Sequence, residues 1–229
     1  MLLIADLDGT FYPATGSLTS ALRSRTRSWL AQALHLDAAA VAHLYGALPD
    51  RHPNPLLGFA SLGLSVEEYH AAVFDRIDPA AHVAPDPAVR AALRAFGNAV
   101  HVVTFASQTY ARRLLTALGV RDCVSSVRTP SSAGWKEKGD AYAAILKEER
   151  CTPADVTVIG DRWETDLLPA RHLGCAVALV DESSGSLPGG HELVGQDEAA
   201  SVKDLTSCGG DCLVVRPTLA ACLAGLAGL

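Results

Sequence analysis

Hydrophobic and polar positions follow one another in blocks along the chain, and the blocks predict strands and helices in a definite order. Residues 2–7 form an apolar run that ends near Gly9, which indicates a short strand buried on both faces. Between residues 14 and 85 the apolar positions take helical spacing instead, with Leu22 and Trp29 on one stripe. We expect an all-helical unit over this stretch.

After residue 85 the pattern changes to strands that alternate with helices. Asp86 followed by Pro87 is typical of a helix start, and the apolar runs at 99–103, 156–159 and 175–180 indicate buried strands. A further helix is expected from near Thr165. Alternation of this kind predicts a parallel sheet with helices on both faces.

The predicted fold class is therefore α/β, a Rossmann-like doubly wound parallel sheet with an inserted all-helical cap domain. We expect residues 1–13 and 86–229 to form the α/β core and residues 14–85 to form the cap.

Composition narrows the class of protein and its partners. The 229 residues are 49% hydrophobic and 19% charged, which is typical of a compact globular protein. The net charge is −6 and no run of basic residues is present, so we expect neither nucleic acid nor a membrane as a partner. Without a basic leader before the first apolar run, we expect a cytoplasmic location with reduced cysteines, and Cys208 and Cys212 in a loop.

Two acids follow the first predicted strand in the sequence DLDGT. Asp6 and Asp8 are two residues apart, so their carboxylates can project from the same side at the carboxyl end of the strand. Open α/β sheets place their sites at this edge. The alternative interpretation is a simple turn, in which Asp8 and Gly9 only connect two elements.

Three further polar segments stand at or near strand ends. Thr104 ends the strand at 99–103, Lys136 precedes a helix, and GDRWETD follows the strand at 156–159. Asp161 and Asp166 in that segment are suited to hold a divalent cation through oxygen ligands. Taken singly, the threonine could be a helix cap and the lysine a solvated side chain.

Together these segments resemble the four motifs of the haloacid dehalogenase superfamily. DLDGT matches the first motif, Thr104 the second, Lys136 the third and GDRWETD the fourth. Lys136 is preferred over Lys138 because the family lysine typically stands six residues before an aromatic, here Tyr142. Lys138 is the alternative.

The resemblance implies a phosphomonoester hydrolase that uses Mg²⁺ and an aspartyl-phosphate intermediate. In this interpretation Asp6 attacks phosphorus, Asp8 is the general acid and base, and Thr104 and Lys136 bind the substrate phosphate. The implied ligands of Mg²⁺ come from four residues: Asp6, Asp8, Asp161 and Asp166.

The continuation DLDGTFYP resembles pyrimidine 5'-nucleotidases, which implies a nucleoside 5'-monophosphate or a ribosyl phosphate as substrate. A cap of about seventy residues favours a small phosphomonoester over a phosphoprotein. We expect specificity to come from the cap and from the residue beside the phosphate site; the candidates are Arg51, His52, Asn54 and Phe105.

Two other functions remain open. A phosphomutase of the β-phosphoglucomutase type would use the same two aspartates, and a non-catalytic regulatory protein could keep the fold without the reaction. Dehalogenation is disfavoured because Asp8 supplies a proton that loss of a halide does not need.

Overall fold

The computed structural model describes residues 1–97, 99–181, 213–216 and 218–227. The strands are β1 Leu2–Ala5, β2 Val100–Val103, β3 Ser126–Arg128, β4 Val156–Gly160, β5 Ala176–Val180 and β6 Leu213–Arg216. The α-helices are α1 Ser17–Leu34, α2 Ala38–Arg51, α3 Pro55–Ser61, α4 Val66–Tyr69, α5 Pro87–Phe96, α6 Gln108–Ala117, α7 Pro130–Ala133, α8 Lys138–Glu149, α9 Leu168–His172 and α10 Leu219–Ala227. Two π-helical turns, His70–Phe74 and Trp163–Leu167, continue α4 and lead into α9.

The six strands form one parallel sheet in the order β3-β2-β1-β4-β5-β6. This is the order of the doubly wound nucleotide-binding folds, in which the chain reverses direction across the sheet next to β1. Every residue of β1, β2 and β4 is buried, because helices cover both faces. The predicted α/β fold class is confirmed, and the sequence interpretation had missed β3 and β6.

The helices α1 to α4 lie between β1 and α5 in the chain and pack on an aromatic cluster of their own. The rings of Trp29, Phe59 and Tyr69 lie 4.6 to 5.4 Å apart. Phe74, at the end of the π-helical turn, packs 4.9 Å from Tyr110 of α6 and so joins this cluster to the α/β core.

Hydrogen bonds also fix the helical insertion over the carboxyl edge of the sheet. Asn54 Nδ2 donates to the backbone carbonyl of Lys136 at 2.7 Å, and His70 Nε2 donates to the carbonyl of Phe105 at 2.9 Å. Both carbonyls belong to loops that carry site residues. The insertion therefore helps to hold those loops in place.

The local signals account for most helix boundaries. Asp86 accepts from the amides of Ala88 and Val89, which confirms the helix start predicted there. The helix expected near Thr165 is instead a π-helical turn from Trp163 that becomes α-helical at Leu168. The wider turn lets Asp166 reach back to the amide of Arg162 at 3.1 Å.

No helix in the described part of the chain is both long and apolar enough to cross a membrane. The cysteines within the described ranges, Cys123, Cys151, Cys175 and Cys222, are free thiols. Cys208 and Cys212, for which we expect a loop, lie outside the described residues.

Candidate active site

The carboxyl ends of β1 and its neighbour β4 bring the acidic side chains together. The Asp6 amide donates to the carbonyl of Ile159 at 2.8 Å, so the pairing of the two strands continues up to the site. Gly9 adopts φ +90°, and a Cβ there would overlap the Asp161 carboxylate. Only glycine combines this backbone conformation with so close an approach.

One buried lysine links two of these acids. Lys138 Nζ donates to Asp6 Oδ1 and, at 2.8 Å, to Asp166 Oδ1, and the lysine is 1% exposed. Burial lowers the pKa of Lys138, but the attraction of Asp166 and Asp6 outweighs it, so the pKa is raised and the side chain stays charged.

The structure corrects the predicted position of the motif lysine from Lys136 to Lys138. Lys136 lies before α8 with an exposed side chain, whereas Lys138 begins α8 on the face that buries Ala141, Tyr142 and Ile145. These positions follow the i, i+3, i+4, i+7 spacing of one helix face. The expected spacing of six residues before Tyr142 had favoured Lys136. Lys138 instead stands four residues before Tyr142, which is about one helical turn.

Asp6, Asp161 and Asp166 form a cluster in which one ligand atom from each lies within 4.8 Å of the others. Both oxygens of Asp166 accept hydrogen bonds, because Lys138 and Thr165 donate to Oδ1 and the Arg162 amide donates to Oδ2. Asp161 Oδ1, by contrast, is buried and has no hydrogen-bond partner among the described residues.

This donor set fits a hard divalent cation. Three carboxylates face one lysine, and an unpaired buried carboxylate oxygen is costly unless a cation binds it. Burial, together with the neighbouring Asp166, raises the pKa of Asp161 to about 6. Burial likewise raises the pKa of Asp6 despite the opposing charge of Lys138. A bound cation would favour the ionised form of both.

Asp8 has a different environment from Asp6, although only two residues separate them. The hydroxyls of Tyr12 and Tyr110 donate to Asp8 Oδ1 at 2.7 and 2.9 Å, and Thr104 Oγ1 donates to Oδ2 at 3.4 Å. Burial raises the pKa of Asp8, and the two phenol hydrogen bonds only partly oppose it. Asp8 is thus held by neutral donors and Asp6 by a cation.

The sequence did not indicate the role of Tyr110, and Tyr12 was noted only as part of the segment DLDGTFYP. Tyr110 is fully buried on α6, and its partner Asp8 is 102 residues away in the chain. No local pattern points to that contact. Tyr12 could have been noticed, because it stands four residues after Asp8.

The predicted phosphate-binding threonine, Thr104, lies at the end of β2 beside Asp8 and is 1% exposed. Its hydroxyl oxygen also accepts from the Ala106 amide at 3.1 Å. The next residue, Phe105, places its ring 5.2 Å from Lys138 Nζ and 5.6 Å from the ring of Trp135. Phe105 therefore covers the lysine as well as lining the space above it.

Two neighbouring cavities open from this point. The first, of about 210 Å³, contains the carboxylates Asp6, Asp8, Asp161 and Asp166 and is closed on the other side by residues of α1 to α4. The second, of about 190 Å³, is lined by the predicted specificity residues Arg51, His52 and Asn54, and Phe105 and Lys138 line both cavities.

Asn54 differs from the other specificity candidates because protein atoms already engage its amide. Its Oδ1 accepts from the Leu56 amide at 2.9 Å and caps α3, while its Nδ2 holds the Lys136 carbonyl. Asn54 is therefore a structural link between cap and core, and its role in specificity stays a prediction.

Comparison with known proteins identifies the family. The sequence model of the haloacid dehalogenase-like hydrolases matches residues 1–174, so the chain belongs to this family of hydrolase enzymes. The predicted superfamily is confirmed, and the resemblance to pyrimidine 5'-nucleotidases stays a prediction. No curated protein matches the sequence significantly.

Solved structures show the same fold at low identity. A HAD phosphatase from Thermococcus onnurineus is 17% identical, with a TM-score of 0.61 over 98% of this chain and 97% of that one. The L-2-haloacid dehalogenase from Xanthobacter autotrophicus with chloropropionic acid covalently bound is 16% identical, with a TM-score of 0.54 over 100% of both chains. A 2-haloacid dehalogenase from Pseudomonas syringae pv. Tomato is 13% identical, with a TM-score of 0.55 over 99% of this chain and 98% of that one.

The two lysines give a matched test of the corrected assignment. Replacing Lys138 with methionine removes the buried positive charge between Asp6 and Asp166, so Lys138→Met should lower the free energy of unfolding by about 3 kcal/mol. Lys136→Met should change it little, because the Lys136 side chain is exposed. Urea denaturation with EDTA at neutral pH measures both. Equal losses in the two variants would contradict the assignment of Lys138.

Proposed function

We propose that the protein is a magnesium-dependent phosphomonoester hydrolase that forms an aspartyl phosphate on Asp6 and acts on a small phosphorylated metabolite. The observation that carries this proposal is Asp8, a second carboxylate in the same cavity, held by two phenol hydroxyls. A phosphate ester must lose an alkoxide, which needs a proton, whereas a halide leaves without one. Asp8 therefore favours phosphatase over dehalogenase chemistry.

The reaction has two steps that use the same pair of acids. In the first, an Asp6 oxygen attacks phosphorus, the bond from phosphorus to the leaving oxygen breaks, and Asp8 gives that oxygen its proton. In the second, Asp8 takes a proton from water as the water oxygen attacks phosphorus, and the bond from phosphorus to Asp6 breaks. Inorganic phosphate is released, Asp6 is again a free carboxylate, and Asp8 again carries its proton.

Asp6, Asp161 and Asp166 would hold Mg²⁺ with their carboxylates, together with the backbone carbonyl of Asp8 that the family resemblance implies. When bound, the ion supplies positive charge next to the nucleophile and the transferred phosphoryl oxygens. Lys138 adds a fixed charge on Asp6. Thr104 is assigned to the phosphate oxygens because the family resemblance implies that role, and it lies beside Asp8. Each of these groups orients or neutralises the phosphate.

The cavity supports a small substrate. At about 210 Å³ the first cavity is below the usual range of about 300 to 1,000 Å³ for drug-sized ligands. A nucleoside 5'-monophosphate or a ribosyl phosphate remains the class that the DLDGTFYP motif implies, with a phosphomutase as the alternative reaction.

The nucleophile gives the direct test of this function. With Mg²⁺ the wild-type protein should release phosphate from p-nitrophenyl phosphate, and both EDTA and the substitution Asp6→Asn should reduce release to background. Asparagine is nearly isosteric with aspartate but is a very poor nucleophile. Circular dichroism of Asp6→Asn should match the wild type. Phosphate release by a folded Asp6→Asn at near wild-type rates would contradict the proposal.

The tyrosine contacts give a test that depends on the leaving group. Tyr110→Phe removes a hydrogen bond that orients Asp8, so kcat for an alkyl phosphate should fall about tenfold. The kcat for p-nitrophenyl phosphate should change much less, because nitrophenolate leaves without a proton. Tyr142→Phe is the matched control, since its buried hydroxyl has no hydrogen-bond partner among the described residues. Equal losses on both substrates would show that Tyr110 has only a structural role.

A further inference from the structure

We infer that Arg23 on α1 selects substrates whose leaving group carries a second anionic group, a carboxylate or a further phosphate. The inference rests on the proposed phosphatase function and names the class of substrate for it. Arg23 lines the same cavity as the four carboxylates, but from the cap side.

Arg23 belongs to the face of α1 that closes the cavity. Thr19, Leu22, Arg23 and Thr26 all line it, and their spacing of i, i+3, i+4 and i+7 places them on one side of a helix. Helices usually turn arginines of this kind to solvent and apolar residues to the interior. Here a guanidinium lies at the border of the cavity, with an exposed side chain.

The other polar groups of this face are already engaged. Thr19 Oγ1 donates to the carbonyl of Pro13 at 3.4 Å, and Thr26 Oγ1 donates to the carbonyl of Leu22 at 2.9 Å. Arg27, one turn further on, packs its guanidinium 5.5 Å from the ring of Tyr45. Arg23 has neither an ion pair nor a hydrogen bond with any residue in the described ranges.

The remaining cap wall is mainly aromatic. Phe59, Tyr69 and Phe74 line the cavity beside α1, and Tyr69 and Phe74 pack on each other at 5.5 Å. A substrate phosphate at the carboxylate end would direct its leaving group toward this wall. The guanidinium is then the one uncommitted charged group that the described cap residues offer it, and its planar fork fits a carboxylate or phosphate through two parallel hydrogen bonds.

The core side of the cavity reinforces this preference. Arg162 also lines the cavity and has an exposed side chain, so the wall carries two arginines in a protein whose net charge is −6. The two guanidinium groups lie in the same cavity as four carboxylates, and they are the groups of its wall that can pair with an anion on the leaving group.

The experiment compares phosphomonoesters of similar size that differ in the charge of the leaving group. Ethyl phosphate is the neutral probe, phosphoglycolate adds a carboxylate, ethane-1,2-diyl bisphosphate adds a phosphate, and phosphoethanolamine adds a cation. In the wild type with Mg²⁺, kcat/KM should be about tenfold or more higher for a probe with a second anion than for ethyl phosphate. The anionic probe with the higher kcat/KM shows whether Arg23 recognises a carboxylate or a phosphate.

Arg23→Gln should lower the ratio of kcat/KM for the anionic probe to that for ethyl phosphate from about tenfold to about one, since the charged hydrogen bonds to the second anion are lost. Arg25→Gln, an exposed arginine on the same helix that does not line the cavity, is the matched control and should keep the wild-type preference. An equal loss on all four probes would mean that Arg23 binds the transferred phosphate, which overturns the inference. Faster hydrolysis of nucleoside monophosphates than of either anionic probe would overturn it as well.

A binding measurement separates this inference from the proposed function. If the wild type released no phosphate from any probe, the hydrolase proposal would fail, but calorimetry on Asp6→Asn would still report binding. Phosphoglycolate should bind Asp6→Asn at least about tenfold more tightly than it binds the double variant with Arg23→Gln. Equal affinities would overturn the role of Arg23.

Discussion

The site depends on one constraint, the concentration of buried negative charge at the carboxyl edge of the sheet. Parallel pairing of β1 with β4 brings Asp6, Asp161 and Asp166 so close that their carboxylates need a cation. Lys138 supplies one positive charge from a fully buried position. It leaves Asp161 Oδ1 without a hydrogen-bond partner among the described residues, which is where a divalent ion would complete the balance.

The same edge gives two neighbouring carboxylates different chemistry. Lys138 opposes the rise in the pKa of Asp6 that burial causes, and so favours the anionic form that a nucleophile needs. Asp8 has only neutral phenols as its close donors, and these only partly oppose the rise in its pKa on burial, which favours its role as an acid. The helical insertion takes part in this division, because Phe74 packs on Tyr110 and so supports the hydroxyl that orients Asp8. This contact couples the cap to the acid Asp8, in addition to the hydrogen bonds that link the cap to the loops beside Lys138.

Much of the fold and of the site could be predicted from the sequence because the signals are local. Apolar runs identified β1, β2 and β4, and the polar residues that follow them identified Asp6, Asp8, Thr104 and Asp161. The strand β3 was missed because it has three half-buried residues at the edge of the described strands next to β2. Lys138 was misjudged although it continues the apolar face of α8, where a lysine can be buried only with a charged partner. The contact of Tyr110 with Asp8 depends on tertiary packing and leaves no local signal.

The central claim is that Asp6 becomes covalently phosphorylated during turnover. The most direct measurement is to quench the wild-type protein with acid during hydrolysis of a phosphomonoester and to map the phosphate on its peptides by mass spectrometry. The account predicts phosphate on the peptide that contains Asp6, in a linkage that hydroxylamine cleaves. Active turnover with no phosphoenzyme under rapid quenching, or with phosphate on a different residue, would contradict it.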